Sequence, residues 1–410
     1  MIKRIATSIL LIFLVFRLGG QGYLDAKLLN KGRVDIPFSY ENNLIVINVT
    51  FNKIFPLKFL FDTGAEHTIL TRRQITDILA VNYTRKFTLF GADLSTELTA
   101  YLAQGISLKM GNIEMNNRNI LVLEEDYFNF DEFSGVDIQG IIGADIFRRF
   151  VVQINYKRKI ISLYPRSRFK EPSKNYVKYP VEIYKSRPYI KVPIKAPNDS
   201  IVQVKLLMDS GSSLPLIIYP ETDSSLSVPQ NVIPAQLGIG LGGYLEGVIG
   251  RVQYMKIAES ELIDVITSFQ NLLPSTDTIA LNNRNGIIGN KSLQHFHVII
   301  DYVRQELYLR PNTGGKKPKF KFDKSGLFLV ASGKDLNQFK VASVVPNSPA
   351  DLAGLRKDDN LKRIGGLPCG LMSLSGIQRK FRKKEGKKYQ IVYEREGKKY
   401  KTVLILQKII

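Results

Sequence analysis

The chain has 410 residues, with 58 Lys and Arg against 37 Asp and Glu, a formal charge of +21, and one cysteine, Cys369. A 44% hydrophobic content excludes a disordered chain, and this length has room for two or three domains with sizeable cores. A single cysteine excludes any intramolecular disulfide, so stability must come from packing.

Lys3 and Arg4, the apolar run Ile5–Phe16 and the small residues Gly20-Gln21-Gly22 have the pattern of an export signal over 1–22. The run is too short to span a bilayer comfortably, although Arg17 leaves an uncleaved anchor as the alternative. An exported chain without disulfides fits a bacterial periplasm or cell envelope, or secretion from it, better than a disulfide-rich secretory setting.

From Asn43 to Phe51 apolar and polar residues alternate as in a strand. Phe61-Asp62-Thr63-Gly64-Ala65 then lies between the apolar runs Leu57–Phe61 and Ile69-Leu70, which predicts two strands joined by a sharp turn bearing a carboxylate. A lone turn of this kind carries little information, because Asp, Thr and Gly are common turn residues. Here the device recurs 147 residues later as Met208-Asp209-Ser210-Gly211-Ser212. Gly140-Ile141-Ile142-Gly143 recurs as Gly286-Ile287-Ile288-Gly289 at an offset of 146, and Phe147/Leu293, Phe150/Phe296, Val152/Val298 and Ile154/Ile300 keep that register. Similarity held in step over such a span predicts a duplicated domain with a period too long for a solenoid. Each half is expected to be built of strands. Helical turns are expected only after Gly143 and Gly289, and each half closes on a hairpin: Phe150–Tyr156 with Lys159–Tyr164, then His297–Tyr302 with Glu306–Leu309. Pro165–Pro180, basic and proline-bearing, reads as the linker.

These residues resemble the aspartic peptidases of retropepsin-like and pepsin-like architecture, in which each lobe supplies one D-[ST]-G. The resemblance covers about 32–312. It implies two β-barrel lobes, at 32–165 and 181–312, joined by a linker at 166–180. It also implies a catalytic dyad of Asp62 and Asp209, braced by Thr63, Gly64, Ala65, Ser210, Gly211 and Ser212. Ile142-Gly143 and Ile288-Gly289 would pack beneath the two loops. The family has Ser or Thr six positions after each Asp. Thr68 fits, but Pro215 does not, which raises the expectation of a distorted second loop. Where lobe one has Ala65, lobe two has Ser212. The resemblance implies that the Ser212 hydroxyl donates to Asp209 and leaves the shared proton on Asp62.

The remaining motifs add little to this. Leu237–Gly243 is glycine-rich but lacks the βαβ context of a nucleotide loop. It reads as a hairpin over the cleft, with Phe90–Asp93 as its counterpart and Tyr244 as a lid aromatic or a packed residue. His295 and His297 are expected to be structural, and His67 to lie at the surface or the cleft edge. No metal or other cofactor motif is present, and none is expected.

Pro311–Pro318 marks a second boundary, with the linker at 313–319. Beyond it, Ser348 suits a helix N-cap, Pro349 the first helical position and Gly354 the helix end. Pro346-Asn347-Ser348-Pro349-Ala350 through Gly354-Leu355, followed by Asp358-Asp359, resembles the PDZ domain of bacterial envelope proteases, over 320–408. That resemblance implies a small β-sandwich with two short helices, Ser373–Lys384 being the groove helix. Gly326, Leu327, Phe328 and Leu329 would form a loop that receives a peptide C-terminal carboxylate, with the ligand adding as a strand. Residues 316–410 also carry 23 Lys and Arg against 8 Asp and Glu, densest at Arg379–Lys384. This reads as a solvated face or as one drawn to anionic lipid headgroups or acidic polypeptides. Nucleic acid is not an expected partner. Cys369 reads as a small apolar filler.

The expected whole is a mainly β, exported, monomeric aspartic endopeptidase acting on polypeptides, with a module that binds peptide C-termini. The alternative is a non-catalytic peptide-binding protein on the same scaffold. A third reading, a protease for polysaccharide-linked peptides, cannot be separated from the first by sequence.

Overall fold

The computed structural model describes residues 32–410 apart from 92–95, 128–129, 197–198, 241–242, 273–280 and 313–316. The side chains of Phe90 and of 235–246 also lie outside the description, as does the predicted export signal. The described chain is mainly β and forms three sheets.

The two repeats fold alike. In the first, Phe55–Phe61 runs parallel to Gly140–Ile142, and Ile69–Leu70 returns antiparallel on that strand's other side. In the second, Ile201–Asp209 runs parallel to Gly286–Gly289, with Leu216–Ile218 antiparallel beside it. The ends of the two long strands nearest the turns, Phe59–Phe61 and Leu206–Met208, are buried on both faces, so their apolar residues run on without alternation there. Gly140 is required by proximity: a Cβ there would lie 2.6 Å from the Ile69 carbonyl oxygen. One further contact repeats. Gln139 Oε1 accepts the Lys58 N–H at 2.8 Å, and Asn285 Oδ1 accepts the Lys205 N–H at 2.8 Å.

The closing hairpins of the two repeats join edge to edge. Phe150–Asn155 pairs antiparallel with Phe296–Asp301, and this seam makes one sheet of the two lobes' ends. The largest core runs through both lobes and includes Phe61, Phe147, Met208 and Phe296. The predicted linker is only partly a linker. Its end forms the strand Val177–Pro180 against Glu306–Pro311, and Arg166 pairs with the buried Asp301 at 2.7 Å. The expectation of helical turns only after Gly143 and Gly289 also needs correction. Ala144–Phe147 and Asn290–Leu293 are helical, but so are Arg73–Ile78 and Phe130–Ser134. Segments of six and five residues are too short to display a helical period in sequence.

Residues 327–405 form a six-stranded sheet with the helices Pro349–Leu352 and Leu374–Phe381. The predicted caps are present. Ser348 accepts the Asp351 N–H, Pro349 opens the helix, and Gly354 takes φ of +75° just beyond it. This domain has its own core, containing Phe339, Ile377, Phe381 and Leu404. Cys369 belongs to that core, and burial pushes its thiol up to about 11. The basic run at 379–384 is not one solvated face: Phe381 is core, and Arg382 turns toward the buried side of the helix near Asp323. Phe320, Val345 and Ile410 belong to the lobes' core, so the domain is seated against the lobes. Among the described residues no helix is long and apolar enough to cross a membrane.

His297 stands on the seam, opposite Asn155, with its ring on Gln153 at 3.0 Å and on the Tyr176 hydroxyl. Burial, aided by Arg310, lowers it to about 4. His295 packs edge-on against Phe320 and is also lowered by burial. An unfolded histidine protonates at about 6.5, so as pH falls the unfolded chain binds protons before His297 does. Stability contributed by neutral His297 is therefore complete above about pH 6.5 and lost as pH falls through about 4. Thermal melts should show a midpoint that drops from pH 7 to pH 5, and drops less in His297→Gln.

Candidate active site

The turns after Phe61 and Met208 meet at the lobe interface, fastened by four reciprocal hydrogen bonds. Thr63 Oγ1 donates to the Met208 carbonyl at 2.7 Å and accepts the Ser210 N–H at 3.0 Å. Ser210 Oγ donates to the Phe61 carbonyl at 2.8 Å and accepts the Thr63 N–H at 3.0 Å. Both hydroxyl-bearing residues are buried, so each bond satisfies a group that water cannot reach.

This clasp brings Asp62 and Asp209 within hydrogen-bonding reach of one another. Each carboxylate stands over the glycine of the opposite loop. A Cβ on Gly64 would lie 2.7 Å from Asp209 Cγ, and one on Gly211 would lie 2.5 Å from Asp62 Cγ. Asp62 Oδ1 accepts the N–H groups of Gly64 and Ala65 at 2.7 and 3.1 Å. Asp209 Oδ1 accepts those of Gly211 and Ser212 at 2.7 and 3.2 Å. The two loops are therefore near-equivalent, and Pro215 leaves the second undistorted. Its carbonyl accepts the Gly289 N–H at 3.3 Å.

The elements beneath are matched as well. Ile142 and Ile288 are fully buried. Ala144 N–H bonds the Ala65 carbonyl at 2.9 Å, and Asn290 N–H bonds the Ser212 carbonyl at 2.8 Å. Gly143 donates its N–H to Thr68 Oγ1 at 3.1 Å, while Thr68 donates to Asp145 Oδ1 at 2.8 Å. Gly143 and Gly289 lie against the loop backbones. A Cβ on Gly289 would meet Ser212 Oγ at 2.8 Å.

That last contact corrects one expectation. The Ser212 hydroxyl faces Gly289, and it is the Ser212 N–H that binds Asp209. The electrostatic asymmetry comes from elsewhere. Desolvation and then the charge of Asp209 raise Asp62 well above the carboxylate range. Desolvation raises Asp209 too, but the hydrogen bond from Asp62, the Gly211 N–H and the charge of Arg284 oppose it. Burial and mutual repulsion therefore hold one proton between the two carboxyl groups, while the charge of Arg284 favours the ionised form of Asp209.

Arg284 was not anticipated from sequence. It is buried, its guanidinium lies 5.7 Å from the Tyr219 ring, and Nη2 donates to the Tyr219 hydroxyl at 3.4 Å. Asn290 was also missed. Its Nδ2 donates to the Ser210 carbonyl, and its Oδ1 accepts from the Tyr156 hydroxyl at 2.6 Å, tying the second loop to the first lobe. The available signal was a break in the repeat: Arg284 aligns with the buried Ile138, and Asn290 with Ala144.

The other predicted residues lie elsewhere. His67 sits beside Asp145, its backbone against Gly143. The glycine-rich run forms the ends of the strands Ile233–Gly240 and Gly243–Ile257, paired Gly240 to Gly243. The Tyr244 side chain and residues 92–95 fall outside the described parts. Gly326–Leu329 does not join the dyad. Gly326 turns with φ of +78°, and the segment lines a separate cavity beside Pro215.

Residues 47–146 match a family described as aspartyl protease, a span that contains Asp62 and the Ile142-Gly143 element. No curated protein matches the chain.

The clasp makes a stability prediction. Thr63→Val and Ser210→Ala each strand two buried backbone groups, and each should cost roughly 2–5 kcal/mol in urea unfolding. A double variant should cost less than the sum, because both single changes break the same network.

Proposed function

We propose that the chain is an aspartic endopeptidase. The observation that carries this reading is the pair of near-equivalent loops, each holding its Asp by two backbone N–H groups and clasped through Thr63 and Ser210. The aspartyl protease match over the first lobe supports it.

Two carboxyl groups this close share one proton, since ionising both would place like charges together in a desolvated site. Asp209, ionised, acts as general base on a water. Asp62, protonated, donates to the scissile carbonyl oxygen, and the proton taken by Asp209 passes to the leaving amine. No covalent intermediate is needed, so the two carboxyl groups and a water suffice without a Ser, Cys or His nucleophile. Both carboxylates come from one chain, so a monomer suffices. The C-terminal domain is proposed to be of the PDZ type, receiving peptide C-termini at Gly326–Leu329. The chain is proposed to be exported to the cell envelope.

Asp62→Asn and Asp209→Asn should each abolish cleavage of a mixed peptide library while leaving the thermal midpoint at or above that of the parent. Full activity in either variant would refute the dyad. The charge of Arg284 favours ionised Asp209, so removing it raises the pKa of the base. Arg284→Met should move the acidic limb of the pH–rate profile upward, whereas Ser212→Ala should leave it in place. A shift with Ser212→Ala and none with Arg284→Met would reverse this assignment.

A further inference from the structure

The seam between the lobes and the C-terminal domain is closed on one side and open on another. The first-lobe helix Phe130–Ser134 packs on the strand Leu327–Ser332, and a Cβ on Gly135 would lie 3.1 Å from Leu374 Cβ and 4.0 Å from Ala331 Cβ. An extended ligand cannot add as a strand there, contrary to the sequence expectation. Past Asp323 and Arg382 the seam opens into a cleft of about 570 Å³. Three parts of the chain wall it: Arg251 and Asp264 of the second lobe, the segment 319–324, and 382–385 with 408–410 of the C-terminal domain. The segment 319–324 is tied to both neighbours, since Lys319 bridges to Ile263 and the Lys324 N–H bonds the Phe381 carbonyl at 3.0 Å.

Among the described residues the cleft is lined by eight Lys and Arg and by three acids, Asp264, Asp323 and Glu385. Asp264 acts on Arg251 and Asp323 on Arg382, while Glu385 accepts the Lys408 N–H at 3.1 Å. Setting each of the three acids against one of the eight cations still leaves five positive charges, or four with a terminal carboxylate at Ile410. Lys317, just outside, shows the contrast: it pairs with Glu261 at 2.7 Å. Two of the cleft's cations are placed by main-chain carbonyls. Arg251 Nη1 donates to those of Asp264 and Phe320 at 2.6 and 3.2 Å, and Lys324 Nζ to that of Lys383 at 3.2 Å. A fixed guanidinium ringed by ammonium groups has the chemistry of a phosphate site.

We propose that this cleft binds a compact polyanion bearing two or more phosphate groups, and that the bound anion fastens the C-terminal domain to the second lobe. Charge density selects the class. A phosphomonoester concentrates about −1.5 to −2 on one tetrahedral group at neutral pH, so two or three of them match the excess within this volume. An acidic peptide carries at most one charge per residue, and five charges need roughly 16 Å of extended chain, about twice the width of such a cleft. The same chemistry is offered by a soluble polyphosphate and by a phosphorylated lipid headgroup. Either one removes the repulsion between the walls, and a ligand that requires all three walls stabilises the seated domain.

The test is calorimetric titration of the full chain with inorganic tripolyphosphate at rising ionic strength, with amide hydrogen exchange over 319–324 and 382–385. Tripolyphosphate should bind, bind more weakly as salt rises, and slow exchange in both segments. A triple variant, Lys321→Gln with Lys383→Gln and Lys384→Gln, should weaken binding roughly ten- to a hundred-fold. The same charge removed outside the cleft, by Lys398→Gln with Lys399→Gln and Lys401→Gln, should weaken it less than about threefold. All six lysines are exposed, so neither variant disturbs a core. Cosedimentation with phosphatidylcholine vesicles containing phosphatidic acid, lost in the cleft variant, would assign the phosphate to a lipid headgroup. Tripolyphosphate binding without cosedimentation would assign it to a soluble ligand. No binding at low salt, equal weakening in the two triple variants, exchange unchanged by bound ligand, or tighter binding of hexaglutamate than of tripolyphosphate would each overturn the proposal. None of these readouts requires cleavage, so they stand apart from the peptidase reading.

Discussion

Two like-charged groups do not rest side by side in a desolvated place unless the surrounding structure holds them there. In this chain the holding is done mainly by backbone. Thr63 and Ser210 reach across the interface to each other's loops, and their four bonds all involve main-chain partners. Backbone groups are anchored by the strands that carry them, so the carboxylates inherit the rigidity of Phe55–Phe61 and Ile201–Asp209. The parallel strands Gly140–Ile142 and Gly286–Gly289 then fix those two in turn. The shared proton follows from this arrangement, because it is the state in which the enforced proximity is least unfavourable.

The duplication supplies a near-symmetric frame, and departures from it set the site's asymmetry. Replacing buried Ile138 by Arg284 in the second repeat puts a positive charge within reach of one carboxylate and not its equivalent. Replacing Ala144 by Asn290 adds a side chain that links Ser210 to Tyr156 across the lobes. Exchanging Thr68 and Asp145 for Pro215 and Lys291 removes a local brace and opens the second loop to the C-terminal domain. Each change lies within a few residues of an Asp or of the Gly-Ile-Ile-Gly strand, where a small displacement is felt at the dyad.

Much of this was legible in the sequence because repetition is a strong signal. The two D-[ST]-G turns, the Gly-Ile-Ile-Gly strands, the closing hairpins and the caps at Ser348, Pro349 and Gly354 all follow from local chemistry and register. Long-range contacts were not legible. Nothing near Arg284 announces a carboxylate, because its relation to Asp209 is made by folding. The Ser212 hydroxyl was misassigned because the closeness of Gly289 to it depends on how the Gly286–Gly289 strand lies under the loop. The helix Phe130–Ser134 was missed for its shortness, and with it the closure of the groove along Leu327–Ser332. Val177–Pro180 read as linker because its pairing partner lies more than a hundred residues away.

The central claim is that Asp62 and Asp209 titrate as one coupled pair with the proton resident on Asp62. Carbon-13 carboxyl NMR of the full chain, with the two resonances assigned by difference against Asp62→Asn and Asp209→Asn, measures this directly. The account predicts that Asp209 ionises first, while Asp62 keeps its proton to a pH well above the ordinary carboxylate range of about 4. It also predicts that the Asp62 midpoint falls when Asp209 is replaced by Asn, because the opposing charge is gone. Two independent titrations near pH 4, unaffected by the other substitution, would contradict it.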